Sequence, residues 1–250
     1  MPLTYSASLG PIDRAKNHFA LKVRRRVFEL FMHECQTGPE SRVADLGVSG
    51  HRDHPAHYFF EVLYPYTDHL TAVGQAREDA DWYSEQFSGL TFLEADLHDI
   101  PLPDNYFDAA ICNAVVEHAG TREQQASLVR EVCRVSRQVL FTTPNKQFPI
   151  ELHTFVPLVH WFPDPLFRAV LRRLGFGALA RVETLHPLDM RSFLRLFPKE
   201  RDNRRLSLGA WHLPTNLVCL SSVRETAASL DHLSVASVTR RGTGAPAWRL

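Results

Sequence analysis

The stretch Arg42-Val43-Ala44-Asp45-Leu46-Gly47-Val48-Ser49-Gly50 decides how the rest of the chain is read. Val43 to Leu46 is a short apolar run, the pattern of a buried strand. It carries Asp45, a carboxylate that is costly to bury without a partner. Gly47 and Gly50 follow, and glycines just past a strand let backbone approach a ligand closely. In an open α/β sheet, ligands bind in that place, beyond the carboxyl end of the strand. The same string also fits an ordinary strand-to-loop turn, so its weight comes from its surroundings.

Upstream, Asp13 to about Cys35 has helical spacing, with Phe19, Val23, Val27, Leu30 and Phe31 recurring at steps of three and four. Lys22, Arg24, Arg25 and Arg26 are read as a solvated basic face, with contact to an anionic ligand as the sharper alternative. Downstream, a helix starts near Pro55 and runs to about Leu63. His69–Val73 reads as a second strand, Ala76–Phe87 as a helix and Leu90–Ala95 as a third strand. Tyr106–Val115 is too uniformly apolar for a half-exposed strand and fits a central parallel strand covered on both faces. Thr121 and Gln124 form a capping box ahead of Leu128, Val129, Val132 and Val135. Gln138–Thr142 is a fifth strand. Strands alternating with helices imply right-handed crossovers and a parallel sheet.

The alternation stops at Asn145. Residues 146–187 are rich in aromatics and proline, with a helix begun by Asp164-Pro165 and ended before Gly175. Its stripe is Leu166, Phe167, Val170, Leu171 and Leu174, with Arg168, Arg172 and Arg173 off the stripe. The stripe is read as a cap over a site, with a membrane-surface helix or an anion patch as alternatives. A short helix at Leu188–Leu196 and strands at Arg205–Trp211 and Asn216–Ser221 complete the elements. The division expected is 1–145 (N-terminal helix and core), 146–200 (helical cap insertion), 201–222 (last two strands) and 223–250 (a loosely held tail).

Composition narrows the function classes. The 250 residues suit one α/β domain with an insertion, and the balance of 28 basic against 28 acidic residues argues against wholesale nucleic-acid binding. Cys35, Cys112, Cys133 and Cys219 are far apart and show no C-x-x-C pairing, as expected of free thiols in the cytoplasm. No apolar run reaches the roughly 18 residues of a membrane span.

Taken in order, VADLGVSG, LEADLHDIPLPDNYFDAAICNAVVEHAG and VLFTTPN make the chain similar to the class I S-adenosylmethionine-dependent methyltransferases, in the small-molecule branch. The resemblance covers about residues 40–145. It implies a Rossmann-like, doubly wound α/β sheet of seven strands, mostly parallel with one antiparallel. It implies S-adenosylmethionine as cofactor, with S-adenosylhomocysteine as its product. Asp45, Gly47, Val48, Ser49 and Gly50 would meet the methionyl part, and Gln75 would stand at the ribose. Asp96 would meet the adenine amino group with Leu97 behind the ring, and Asn113 and Ala114 would line the far side. His118 closes the strand-four motif near the reacting methyl. Substrate would lie past strand five, near His153, with Asn145, Phe148, Trp161 and Phe162 as walls. Two departures stand out. Gln75 occupies a place usually held by an acid, which Glu78 or Asp79 could supply instead, and Asp45 to Gln75 spans 30 residues against the ~20 of a nucleotide-binding unit.

The thirteen histidines invite a metal reading at His51, His54 and His57, spaced by three, but Pro55 and the change from loop to helix oppose convergence, and no metal is expected. His118 and His153 are the candidate bases, since an imidazole near neutral pKa can take a substrate proton. The expected function is methyl transfer to an O, N or C nucleophile of a small apolar or aromatic molecule. A non-methylating scaffold of the same fold, or an RNA or protein methyltransferase, are the alternatives.

Overall fold

The computed structural model describes residues 11–48, 55–76, 78–208 and 214–224. Its strands are β1 (Val43–Val48), β2 (Leu70–Gly74), β3 (Thr91–Glu94), β4 (Phe107–Asn113), β5 (Ser136–Pro144), β6 (Asp202–Leu206) and β7 (Asn216–Ser222). They form one seven-stranded sheet in the order β3-β2-β1-β4-β5-β7-β6. All neighbouring pairs are parallel except those of β7, which runs against both β5 and β6. The order reverses between β1 and β4, the switch point where an open sheet leaves a crevice.

The helices are α1 (Pro11–Cys35), α2 (Phe59–Leu63), α3 (Glu78–Gln86), α4 (Arg122–Val135), α5 (Asp164–Arg173) and α6 (Met190–Leu194). They cover both faces. Ala110 and Cys112 of β4 and Val139 and Phe141 of β5 pack into a core with α4 and α6. Ala109 and Ile111 of β4 and Leu140 of β5 pack into the other, with α1, α2 and Tyr83 of α3. Burial on both faces is why these strands read as unbroken apolar runs rather than alternating ones. The four cysteines are buried free thiols. At the start of α4 the capping box is in place, Gln124 N–H on Thr121 Oγ1 and Thr121 N–H on Gln124 Oε1.

Several expectations need correcting. The helix after β1 is split into a 3-10 turn (Pro55–His57) and α2. β6 begins three residues before the predicted strand, because its register with β7 pairs Asp202 with Ser222. Its charged, largely exposed side chains mark an edge strand, which the search for apolar runs passes over. Asp164 is the first residue of α5 rather than its cap, and its Oδ2 accepts from Arg168 Nε at 2.9 Å. Arg168 is not on an open face. It is buried, and its guanidinium also donates to the Leu185 carbonyl. The segment 146–200 is divided too. Val159, Phe167, Leu171, Ala180 and Leu185 make a small core of their own, whereas Leu188, Phe193, Leu196 and Phe197 belong to the main core. Of the predicted tail, residues 225–250 lie outside the described residues. No described helix is long and apolar enough to cross a membrane.

Candidate functional site

The carboxyl ends of β1 to β4 share one edge of the sheet and open a cleft of about 370 Å³. Gly47 and Val48 come from β1, Gly74 from the end of β2, and Gln75, Ala76 and Asp79 from the start of the crossover. Asp96, Leu97 and His98 follow β3, and Val115, His118 and Ala119 follow β4. Gly47 has φ +95° and forms a bulge in the β1–β2 register. A Cβ there would meet Val115 Cγ2 at 2.5 Å, so both the backbone turn and the cleft wall require glycine.

Asp96 projects into this cleft with its carboxylate largely exposed. Its Oδ1 accepts from the His98 backbone N–H and from His98 Nδ1, both at 2.9 Å, and these bonds hold its pKa below the usual range. Gln75 also hydrogen-bonds Asp96. Asp79, raised in the sequence as a replacement acid at the ribose position, is buried on the cleft wall. Glu78, the other, has no described side chain.

Asp45 is not on the cleft wall. It is 7 % exposed and sits beneath it, near the Glu61 carboxylate of α2 and the Arg24 guanidinium. Burial pushes the Asp45 pKa up to about 7 against the pull of Arg24. Glu61 is 2 % exposed, and neither of its carboxylate oxygens has a hydrogen-bond partner. Burial first, and then the Asp45 charge, push its pKa well above the normal value.

Arg24 was grouped with the solvated basic face of α1. Instead it reaches inward, hydrogen-bonding Asn113 Oδ1, lying over the Phe59 ring and facing Glu117 and Asp45. The signal was available. Arg24 stands three and seven residues before Val27 and Phe31, both fully buried, so it falls on the same helical stripe. Asn113 and Ala114 also tie the end of β4 to β5. Asn113 Oδ1 accepts from Thr142 Oγ1 at 2.6 Å, and Ala114, with φ +57°, donates its N–H to the Thr142 carbonyl. Ser49, Gly50, His51 and His54 lie outside the described residues.

His118 and His153 meet although 35 positions apart. Their rings are edge to face with centroids 5.0 Å apart. His118, on the turn Val116–His118, donates from Nδ1 to the Thr184 carbonyl at 2.6 Å. His153 donates from Nδ1 to Glu151 Oε1 at 2.7 Å. Burial disfavours the charged imidazole of His153, but the bond to Glu151 and its charge outweigh this, and the pKa is raised. Burial acts on Glu151 in the opposite direction to His153 and Thr154, whose bonds win and lower its pKa to about 2. Glu117 lies between the two rings and accepts from Thr143 Oγ1 at 2.8 Å.

The expected substrate walls do not share one cavity: Asn145 and Phe148 line different ones. Asn145 is buried, with Nδ2 on the Pro214 carbonyl and Oδ1 on the Gln147 N–H, and it lines a small cavity with His153 and Glu151. Phe148 lines a separate groove with Phe19, Val23 and Leu208. Trp161 faces outward, 51 % exposed, with its indole N–H on the Lys146 carbonyl.

A family model described as a methyltransferase domain matches residues 57–139. No curated protein matches the sequence. Among solved structures, magnesium protoporphyrin IX methyltransferase from Synechocystis PCC 6803, with bound S-adenosylhomocysteine, is 11 % identical. It superposes at a TM-score of 0.54 over 88 % of this chain and 91 % of its own. The N-methyltransferase NodS from Bradyrhizobium japonicum is 12 % identical, with a TM-score of 0.51 over 84 % and 98 %. YcgJ from Bacillus subtilis is 15 % identical, with a TM-score of 0.53 over 81 % and 100 %. At these identities the likeness is one of fold. Residues 57–139 thus match a methyltransferase domain, and the chain as a whole shares the fold of these solved structures.

Proposed function

We propose that the chain transfers a methyl group from S-adenosylmethionine to an oxygen, nitrogen or carbon nucleophile of a small molecule. The observation that carries this reading is the cleft itself. A backbone turn at Gly47, an acid at Asp96 with Leu97 beside it, and an imidazole at His118 are gathered at the switch point of the sheet. In this reading Gly47 and Val48 admit the methionyl part and Gln75 with Asp79 meets the ribose hydroxyls. Asp96 accepts from the adenine amino group, and Leu97 backs the ring. Asn113 and Ala114, with Arg24, hold the far side from behind. Ser49 and Gly50 belong to the same proposal.

S-adenosylmethionine supplies an already electrophilic methyl group, so the chain's own task is to orient the acceptor and exclude water. His118 and His153, with Glu117 and Glu151 behind them, stand at the β4–β5 end where an acceptor's proton would be handled. Replacement of the usual ribose acid by Gln75 favours a non-methylating scaffold as the second reading. Asp79 weighs against it by putting a carboxylate on the same wall.

Calorimetric titration with S-adenosylmethionine and S-adenosylhomocysteine tests the proposal. Binding of both at micromolar concentration, weakened at least tenfold by Asp96→Ala, is the expected result. Absence of binding of either ligand refutes it. Native mass spectrometry of the purified protein would reveal a retained cofactor or acceptor.

A further inference from the structure

Three ligand atoms converge at the end of the cleft that His118 lines. Glu117 Oε1 lies 3.9 Å from His118 Nε2 and 3.9 Å from His153 Nε2, and all three atoms lie within 4.8 Å of one another. Each residue has its other polar atom fixed by a different neighbour. Thr143 Oγ1 donates to Glu117 Oε2, the Thr184 carbonyl takes the proton of His118 Nδ1, and Glu151 takes that of His153 Nδ1. With Nδ1 protonated on both rings, each neutral imidazole presents an Nε2 lone pair toward the same point. Glu117 is 1 % exposed, and its Oε1, aimed at that point, has no hydrogen-bond partner. A buried carboxylate oxygen without a hydrogen-bond partner is costly, and a metal ion at that point would satisfy it.

We propose that Glu117, His118 and His153 form a three-ligand site for a borderline divalent metal ion, Zn²⁺ in the first instance. Two imidazoles and one carboxylate are a donor set that such ions take, leaving further positions open to a substrate or water. Carboxylate and carbonyl acceptors behind the ligating imidazoles are the usual supporting partners of such a site. Tetrahedral ligands about 2.0–2.1 Å from zinc stand roughly 3.3 Å apart, so side-chain rotations that close each pair by less than about 1.5 Å complete the geometry. Arg24 also faces Glu117, but it is held by Asn113 and shared with Asp45.

The ion-binding part of the proposal stands on this geometry alone, whereas its role rests on the methyl-transfer reading. That role is to take the oxygen of a hydroxyl or phenol acceptor on an open position. The acceptor proton leaves to solvent, the oxygen lone pair forms the new C–O bond, and the C–S pair stays on sulfur.

The test is calorimetric titration of Zn²⁺ into full-length protein stripped with chelator. One site per chain is expected. His118→Ala, His153→Ala and Glu117→Gln should each weaken binding at least tenfold. Glu151→Gln should weaken it roughly 10–100-fold through loss of the carboxylate behind His153. His118 is partly exposed, so its alanine variant should keep the fold, which circular dichroism checks. Substituting His51, His54 and His57 together with glutamine should leave the affinity unchanged. No uptake at micromolar Zn²⁺, uptake that persists in the His118→Ala/His153→Ala double variant, or uptake lost with His51, His54 and His57 would each overturn the proposal. Zinc uptake without S-adenosylmethionine binding would instead remove the functional reading and keep the metal site.

Discussion

Replacing Glu61 by glutamine should stabilise this protein. Asp45 and Glu61 are buried carboxylates facing one another, with Arg24 as the neighbouring cation. Raising the Asp45 pKa from 3.8 to about 7 means that ionising it in the folded state costs about 4 kcal/mol, at roughly 1.4 kcal/mol per pH unit. The folded protein therefore holds this proton to higher pH than the unfolded chain does. Between pH 3.8 and about 7 the native state binds more protons, so this group's contribution to stability falls as pH rises across that window. Glu61 is shifted in the same direction, so its window begins near 4.5 and adds to the decline. Glu61→Gln removes one of the two buried charges, together with the repulsion it exerts on Asp45. A gain of about 1–3 kcal/mol is expected at pH 8, on the scale of relieving an unpartnered buried polar group. For a chain of this length that is roughly 2–10 °C in Tm. The assay is urea denaturation of both proteins at pH 6 and pH 8, with thermal melts alongside. The wild type should be less stable at pH 8 than at pH 6, and the variant should show a smaller difference. A variant less stable than the wild type at pH 8, or an unchanged pH difference, refutes the assignment of strain to this pair.

Other outcomes follow from the same contacts. Gly47→Ala places a methyl group 2.5 Å from Val115 Cγ2 at a positive φ, and should cost about 2–4 kcal/mol in denaturant unfolding; a loss below about 0.5 kcal/mol would mean that the bulge is not as tight as described. Arg24→Met leaves Asp45 and Glu117 without their cation, and a loss of about 2 kcal/mol, or roughly 4–8 °C in Tm, is expected by calorimetric melting. Asp96→Asn keeps the size of the side chain but loses its charge, and should weaken S-adenosylmethionine binding roughly tenfold with little change in Tm; equal affinity would remove Asp96 from the adenine position.

The sheet was legible because a central parallel strand has no solvent face to encode. Ala109 to Cys112 alternates between two cores, so its sequence is apolar throughout. β6 was misplaced for the opposite reason, since an edge strand carries charges on open positions. The cleft was legible where a backbone requirement left a glycine or a strand end left an acid, as at Gly47 and Asp96. Asp45 was noticed as an unpaired buried acid, but its companions were not: Arg24 lies about twenty residues upstream and Glu61 sits inside an aromatic run. Val62 and Leu63 beside Glu61 are the exposed residues of that turn, the reverse of what hydropathy implies. The meeting of Glu117, His118 and His153 has no sequence signature, because it is made by the β4–α4–β5 crossover and the loop after β5, not by spacing. The regular interval of His51, His54 and His57 drew the metal reading elsewhere.

The turn from Val116 to Gly120 is bound to the strip Thr184–Pro187 by a dense set of bonds. His118 bonds the Thr184 carbonyl, His186 N–H bonds the Glu117 carbonyl, and His186 Nδ1 bonds the Gly120 carbonyl. Arg122 and Gln125 take the carbonyls of His186 and Pro187 from the side. Separating the strip Thr184–Pro187 from the β4 end of the cleft would therefore break all of these bonds at once.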